Sequence, residues 1–131
     1  LKGPLYLRAR APFHKRKERR MEWYRKLYTD RTTEKRKKKI VKEIDAGIYR
    51  GNTYLITLAA NPENMLEILS VHQLAFSYLR RTCPMIVGIA CCRESALLLL
   101  ERMINEIYEK TGTLKIREYF MSHDTSVPKG Q

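Results

Sequence analysis

Two short segments combine residue types that can do chemistry. The first is Cys91-Cys92-Arg93-Glu94-Ser95, which follows an apolar run and opens a helical pattern. A thiol at a helix N-terminus beside a guanidinium is acidified and nucleophilic, which singles out Cys92 as the sharpest candidate. The plainer reading makes Cys91 and Cys92 small fillers at the end of a buried strand, and it is the favoured one. No histidine is near in sequence, although His72 or His123 could approach in space. The phosphatase spacing, an arginine six positions after the cysteine, fails because Leu98 stands there. The second segment is Asn61-Pro62-Glu63-Asn64, which also joins a strand pattern to a helix start. Backbone N–H groups at such junctions favour anions.

Nothing completes a catalytic, metal or cofactor site. The three cysteines form no Cys-x-x-Cys pair, and no histidine stands at zinc-ligand spacing from them. Gly88 and Gly112 are isolated, so no phosphate-cradling fingerprint exists. After residue 51 no aspartate precedes Asp124, and Glu101, Glu106 and Glu109 read as a solvated helix face. His72 reads as a core or boundary histidine. No catalytic residue, metal ligand or cofactor is therefore assigned, and a small enzyme using Cys92 is the third choice.

The basic residues speak more clearly. The net charge is +12, and residues 1–50 carry all of it: 18 Lys/Arg against 6 Asp/Glu, whereas residues 51–131 hold 8 of each. Such a block favours polyanions. Lys15, Arg16, Lys17, Arg19, Arg20, Arg25 and Lys26, then Lys35, Arg36, Lys37, Lys38 and Lys39, are the expected phosphate contacts. Phe13, Trp23, Tyr24 and Tyr28 are interleaved with them, and aromatic rings can stack on unpaired bases. Tyr24 and Tyr28 are as readily explained by packing. Trp23 is less so, because it lies off the stripe of Met21, Tyr24, Leu27 and Tyr28. No RNA-recognition, KH or zinc-finger signature is present, so binding would follow the backbone rather than read sequence.

The elements that must position these residues follow from periodicity. Residues 1–12 contain Gly3, Pro4 and Pro12 and read as irregular. Helix is expected from Phe13 to about Thr29. A second helix over Glu34–Ala46, capped by Thr33 and ended by Gly47, is slightly preferred to a strand at 38–44. Residues 53–59 read as a strand and 61 to about 81 as a helix with a break near Ser70. Residues 85–91 read as a buried central strand, 93 to about 111 as a helix ended by Gly112, and 114–121 as an edge strand. The expected fold is α/β: a two- or three-layer sandwich around a β-α-β-α-β parallel sheet of three strands, or four if 38–44 pairs. It would comprise a basic, largely helical segment at 1–50, an α/β domain at 51–121 and a flexible tail at 122–131. The basic segment's amphipathic part could cover the sheet's second face.

The odd cysteine count fits a reducing, cytoplasmic setting. No apolar run approaches the ~18 residues of a membrane span, and no signal-peptide core opens the chain. Residues 54–120 contain YLITLAANPENMLEI, MIVGIA and EIYEKTGTLKIREYF. This cadence resembles a group of small uncharacterised bacterial proteins, some carried on mobile genetic elements. The resemblance implies no activity, cofactor or site residue. Where those relatives have a Gly-containing stretch after IVGIA, this chain has Cys91-Cys92-Arg93. A mobile-element setting would suit two functions. One is a non-enzymatic protein binding DNA or RNA through its basic segment. The other is an adaptor or inhibitor docking on an acidic or nucleic-acid-binding protein surface. Either leaves room for a homodimer.

Overall fold

The run Ile86–Ala90 is buried at every position and forms the central strand of a mixed sheet. A computed structural model describes residues 21–61 and 63–125. Its elements, in chain order, are β1 (Trp23–Thr29), α1 (Arg31–Glu34), α2 (Lys37–Asp45), β2 (Tyr54–Leu58), β3 (Leu66–Ser70), a 3₁₀ turn (Val71–Ala75), α3 (Ser77–Thr82), β4 (Ile86–Ala90), α4 (Arg93–Thr111) and α5 (Ile116–Thr125). The sheet order is β1-β4-β2-β3. β1 runs parallel to β4, whereas β2 is antiparallel to both β4 and β3. The fold is α/β as expected, but the wholly parallel β-α-β-α-β sheet is corrected to this mixed, four-stranded one.

Three elements differ from the sequence expectation, each for an identifiable reason. The helix expected to end near Thr29 is, in its described part, strand β1. A central strand buried on both faces needs hydrogen-bonding neighbours along both edges. β1 supplies one, with Ile86 N–H donating to Glu22 O at 2.8 Å. Tyr24 and Tyr28 are four apart, so they share a face in a helix or in a strand, and the stripe could not discriminate. In the strand, Met21, Trp23 and Leu27 turn to the opposite face from the two tyrosines. Residues 13–20 lie outside the described chain.

The helix expected from Asn61 to about Arg81 is instead the turn between β2 and β3, strand β3 itself, the 3₁₀ turn and the short helix α3. Asn61 Oδ1 accepts from Glu63 N–H at 2.9 Å, and Asn64 N–H donates to Asn61 O at 3.0 Å. An Asx side chain caps a turn as readily as a helix. The pattern breaks at Ser70, as read. There Ser70 and Gln73 form a capping box for the 3₁₀ turn.

The edge strand expected at 114–121 is helix α5. Ile116 and Phe120, again four apart, are fully buried on one face. Phe120 stands edge-on to Tyr24, Tyr28 and Tyr119, with ring centroids 4.7, 6.3 and 5.4 Å away. Burial first, then the hydrogen bond its hydroxyl donates to Glu106 at 3.0 Å, pushes the Tyr28 phenol well above its ordinary value.

The sheet is covered on both faces. Ala96, Leu99, Met103 and Ile107 of α4, with Ile116 and Phe120 of α5, pack on one. Ile40 and Ile44 of α2, with Val71 and Leu74, pack on the other. The second face is thus covered by α2, whereas the Met21–Tyr28 stretch, expected as an amphipathic helix lying on the sheet, supplies the sheet's own edge strand β1. Gly88 leaves no room for a side chain between β2 and α4, since a Cβ there would lie 3.3 Å from Ile56 Cδ1 of β2 and 3.5 Å from Leu99 Cδ2 of α4. Gly112 ends α4 with φ +77, and its N–H donates to Tyr108 O at 2.7 Å, as its position in the sequence suggested. Asp30, rather than Thr33, caps the first helical turn. Residues 126–131, most of the expected tail, lie outside the described chain.

Candidate nucleic-acid interface

Helix α2 buries Ile40 and Ile44 and turns one flank, with Lys37, Lys38, Val41 and Lys42, to the sheet edge. β1 is that edge. Between the two runs an open groove of about 630 Å³. Trp23, Leu27, Val41 and Ala46 contribute apolar floor, and Arg25, Lys37, Lys38 and Lys42 stand around it. On α2 these positions are related by i, i+1 and i+5, one side of the helix. Arg25 lies two positions from both Trp23 and Leu27 along the strand, which brings it to the same side.

The groove's electrostatics are one-sided. Asp45 is its single carboxylate, and it accepts a hydrogen bond from Trp23 Nε1 at 3.0 Å. Lys37 reaches Glu34 at 3.9 Å, an exposed pair of little energetic weight. Arg25, Lys38 and Lys42 form no ion pair among the described residues. Cations crowded without counter-charges keep their field available to an incoming polyanion.

The expected phosphate contacts fall into four groups. Trp23, Arg25, Lys37 and Lys38 meet in the groove. Lys26 and Lys35 are exposed outside the groove, whereas Arg36 and Lys39 lie on the other flank of α2. Lys15, Arg16, Lys17, Arg19 and Arg20 lie outside the described residues. The aromatic side chains divide as well. Tyr24 and Tyr28 pack against Phe120, so Trp23, half-buried and fixed by Asp45, is the groove's base-stacking candidate. Lys42 was not singled out from sequence. Its spacing of four from Lys38 on a helix would have found it.

The two strand-end segments are not brought together. β2 and β4 are antiparallel, so the Asn61 turn and the Cys91–Ser95 loop sit at opposite ends of the sheet. The second lies at a notable place. β1 and β4 are adjacent and parallel, and the helices that follow them pack on opposite faces, which is the topological switch point of this sheet. Asp30 closes it. Its carboxylate accepts from Thr33 N–H at 2.8 Å, from Thr33 Oγ1 at 2.6 Å and from Cys91 N–H at 2.9 Å. Burial pushes that carboxyl up, but these hydrogen bonds outweigh it and leave it below its ordinary value. Sequence reading missed Asp30, whose only signal was an Asx residue before a helix start.

The two neighbouring thiols are driven apart. Burial, then the Asp30 carboxylate, raises Cys91. Hydrogen bonding from Ser95, side chain and backbone, lowers Cys92. All three cysteines are unbridged, with Cys83 buried. The His72 ring lies 2.8 Å from Gly51 O. The side chain of His123 lies outside the described residues. Among the described residues no cluster of His, Cys, Asp or Glu could hold a metal ion, and no helix is long and apolar enough to cross a membrane. Comparison with protein-family models, with curated proteins and with solved structures finds no match to this chain.

Proposed function

We propose that this is a non-enzymatic nucleic-acid-binding protein whose basic residues contact phosphates. The groove between β1 and α2 carries the reading: four cations around an apolar floor that ends on Trp23. A single strand suits it better than a duplex. Phosphates can follow Lys38 and Lys42 while unpaired bases reach the floor and Trp23, which a paired helix cannot offer. The three unbridged thiols fit a cytoplasmic setting.

The test is fluorescence anisotropy with a single-stranded oligonucleotide at several salt concentrations, using the full chain. The variant combining Lys37→Ala, Lys38→Ala and Lys42→Ala should flatten the slope of log K against log salt by roughly 2, about 0.7 per lost contact. Lys110→Ala with Lys115→Ala serves as the control and should leave it unchanged. No retention at low salt, or an unchanged slope in the triple variant, would sink the proposal.

A protein partner is the second reading, favoured by Phe76 and Tyr78, two positions apart and 65% and 67% exposed. A pull-down after nuclease treatment separates the two, since only a protein-docking adaptor keeps its partner. A Cys92-based enzyme has less support, because the neighbour acting on Cys92 is the Ser95 hydroxyl rather than a base.

A further inference from the structure

The opposite flank of α2 borders a second, more enclosed cavity of about 430 Å³. Arg36, Lys39, Ile40, Glu43 and Ile44 line it, spaced i, i+3, i+4, i+7 and i+8 along one helix face. Across from them lie the loop Gly51–Thr53 and Cys91, at the carboxyl end of β4. Open sheets bind ligands at such a strand end beside a switch point. The volume falls within the roughly 300–1,000 Å³ typical of small-molecule sites.

The lining specifies a ligand class. Ile40, Ile44 and Val71 lie at its base and are all buried, while Asn52 and Thr53 add polar groups to the lining. The rim holds three cations, Arg36, Lys39 and Arg50, and one carboxylate. Glu43 Oε2 accepts from Arg50 Nη2 at 2.8 Å, which balances one cation. Arg36 and Lys39 form no ion pair among the described residues, so the cavity retains two positive charges. The loop opposite is held in place, because His72 Nε2 lies at hydrogen-bonding distance from Gly51 O and Val71 N–H donates to Thr53 O at 3.0 Å. Gly51 adopts φ +84, a conformation that side chains resist.

A double positive charge in a cavity whose exposed lining is mainly polar matches a dianionic phosphate joined to a group that carries hydroxyls, such as a sugar. Guanidinium groups favour phosphate oxygens geometrically as well as by charge. We propose that this cavity binds a phosphate monoester of the size of a nucleoside 5′-monophosphate. The chemistry is shared by a free nucleotide and by the 5′-phosphate end of a nucleic-acid strand. The inference does not rest on the groove between β1 and α2, which lies on the other side of the helix.

The experiment is calorimetric titration of the full chain with adenosine 5′-monophosphate, adenosine and inorganic phosphate at fixed salt. Saturable one-to-one binding of the monophosphate, tighter than either fragment, is expected. Arg36→Gln with Lys39→Gln, both exposed, should weaken it at least about tenfold by removing the unbalanced charge. Glu43→Gln frees Arg50 and removes the opposing carboxylate, so it should tighten binding several-fold. Lys38→Gln with Lys42→Gln should leave it unchanged, while weakening oligonucleotide binding if the groove is the strand's site. Circular dichroism confirms that each variant is folded. Comparing 5′-phosphorylated with 5′-hydroxyl oligonucleotides identifies the source. A preference for the phosphate that follows the same variants points to a strand end, and its absence alongside monophosphate binding points to a free nucleotide. Absence of both monophosphate binding and a 5′-phosphate preference overturns the inference, as does a Glu43→Gln variant that binds no more tightly.

Discussion

Replacing Asp30 with alanine should cost this protein about 2–3 kcal/mol of stability at neutral pH. Two separable losses make up that figure. The side chain caps α1 through Thr33 N–H at 2.8 Å, and loss of such a cap costs ~1 kcal/mol. The same carboxylate accepts from Cys91 N–H at 2.9 Å, joining the loop after β1 to the loop after β4. A hydrogen bond to a charged acceptor contributes roughly 1.5–3 kcal/mol, and solvent near this partly exposed carboxyl puts it at the low end. Asp30→Asn should lose about half as much. It keeps an oxygen for Thr33 but turns an NH₂ group towards the Cys91 N–H donor. Urea unfolding at pH 7 measures both, and the alanine variant's midpoint should fall by about 1 M at constant slope. The pH dependence supplies a second check. The folded-state pKa of Asp30 is depressed, so its contribution is fully present above the unfolded value of ~3.9 and is lost as pH falls through the folded value. The gap between wild type and Asp30→Ala should therefore be constant from pH 7 to about 5 and narrow below about 4. A loss under ~0.5 kcal/mol, or a gap that does not change at low pH, would refute the role given to this carboxylate.

Two further predictions test the core and the thiols. Phe120→Ala removes the ring against which Tyr24, Tyr28 and Tyr119 pack edge-on, and should cost about 3–5 kcal/mol with loss of near-ultraviolet aromatic dichroism. A milder effect would mean that α5 is not anchored by this cluster. Alkylation of the native protein followed by peptide mass mapping should modify Cys92 first and buried Cys83 last. Its reaction should already rise below the ordinary thiol range near pH 8.5 and slow in Ser95→Ala. Faster modification of Cys91 would contradict the opposed environments of the pair.

The sequence by itself determined the elements whose signals are local. β4 announces itself as a five-residue apolar run, and nothing but a doubly covered central strand buries every one of its residues. α4 keeps helical spacing over five turns and ends on Gly112, where φ is positive. The charge asymmetry is a matter of counting, and it places the excess cations in residues 1–50, α2 among them. Tertiary structure decided what local pattern left degenerate. Apolar residues four apart share a face in both helix and strand, so Tyr24 with Tyr28, and Ile116 with Phe120, fit either conformation. In each case pairing and packing elsewhere made the choice: β4 required a second neighbour, and the tyrosines it received required Phe120. The same step divided the basic segment. A list of cations cannot say that Lys37 and Lys38 face a groove beside Trp23 while Arg36 and Lys39 face a separate cavity beside Cys91. Only the burial of Ile40 and Ile44 fixes the rotation of α2, and that rotation assigns every charge on it to one side or the other.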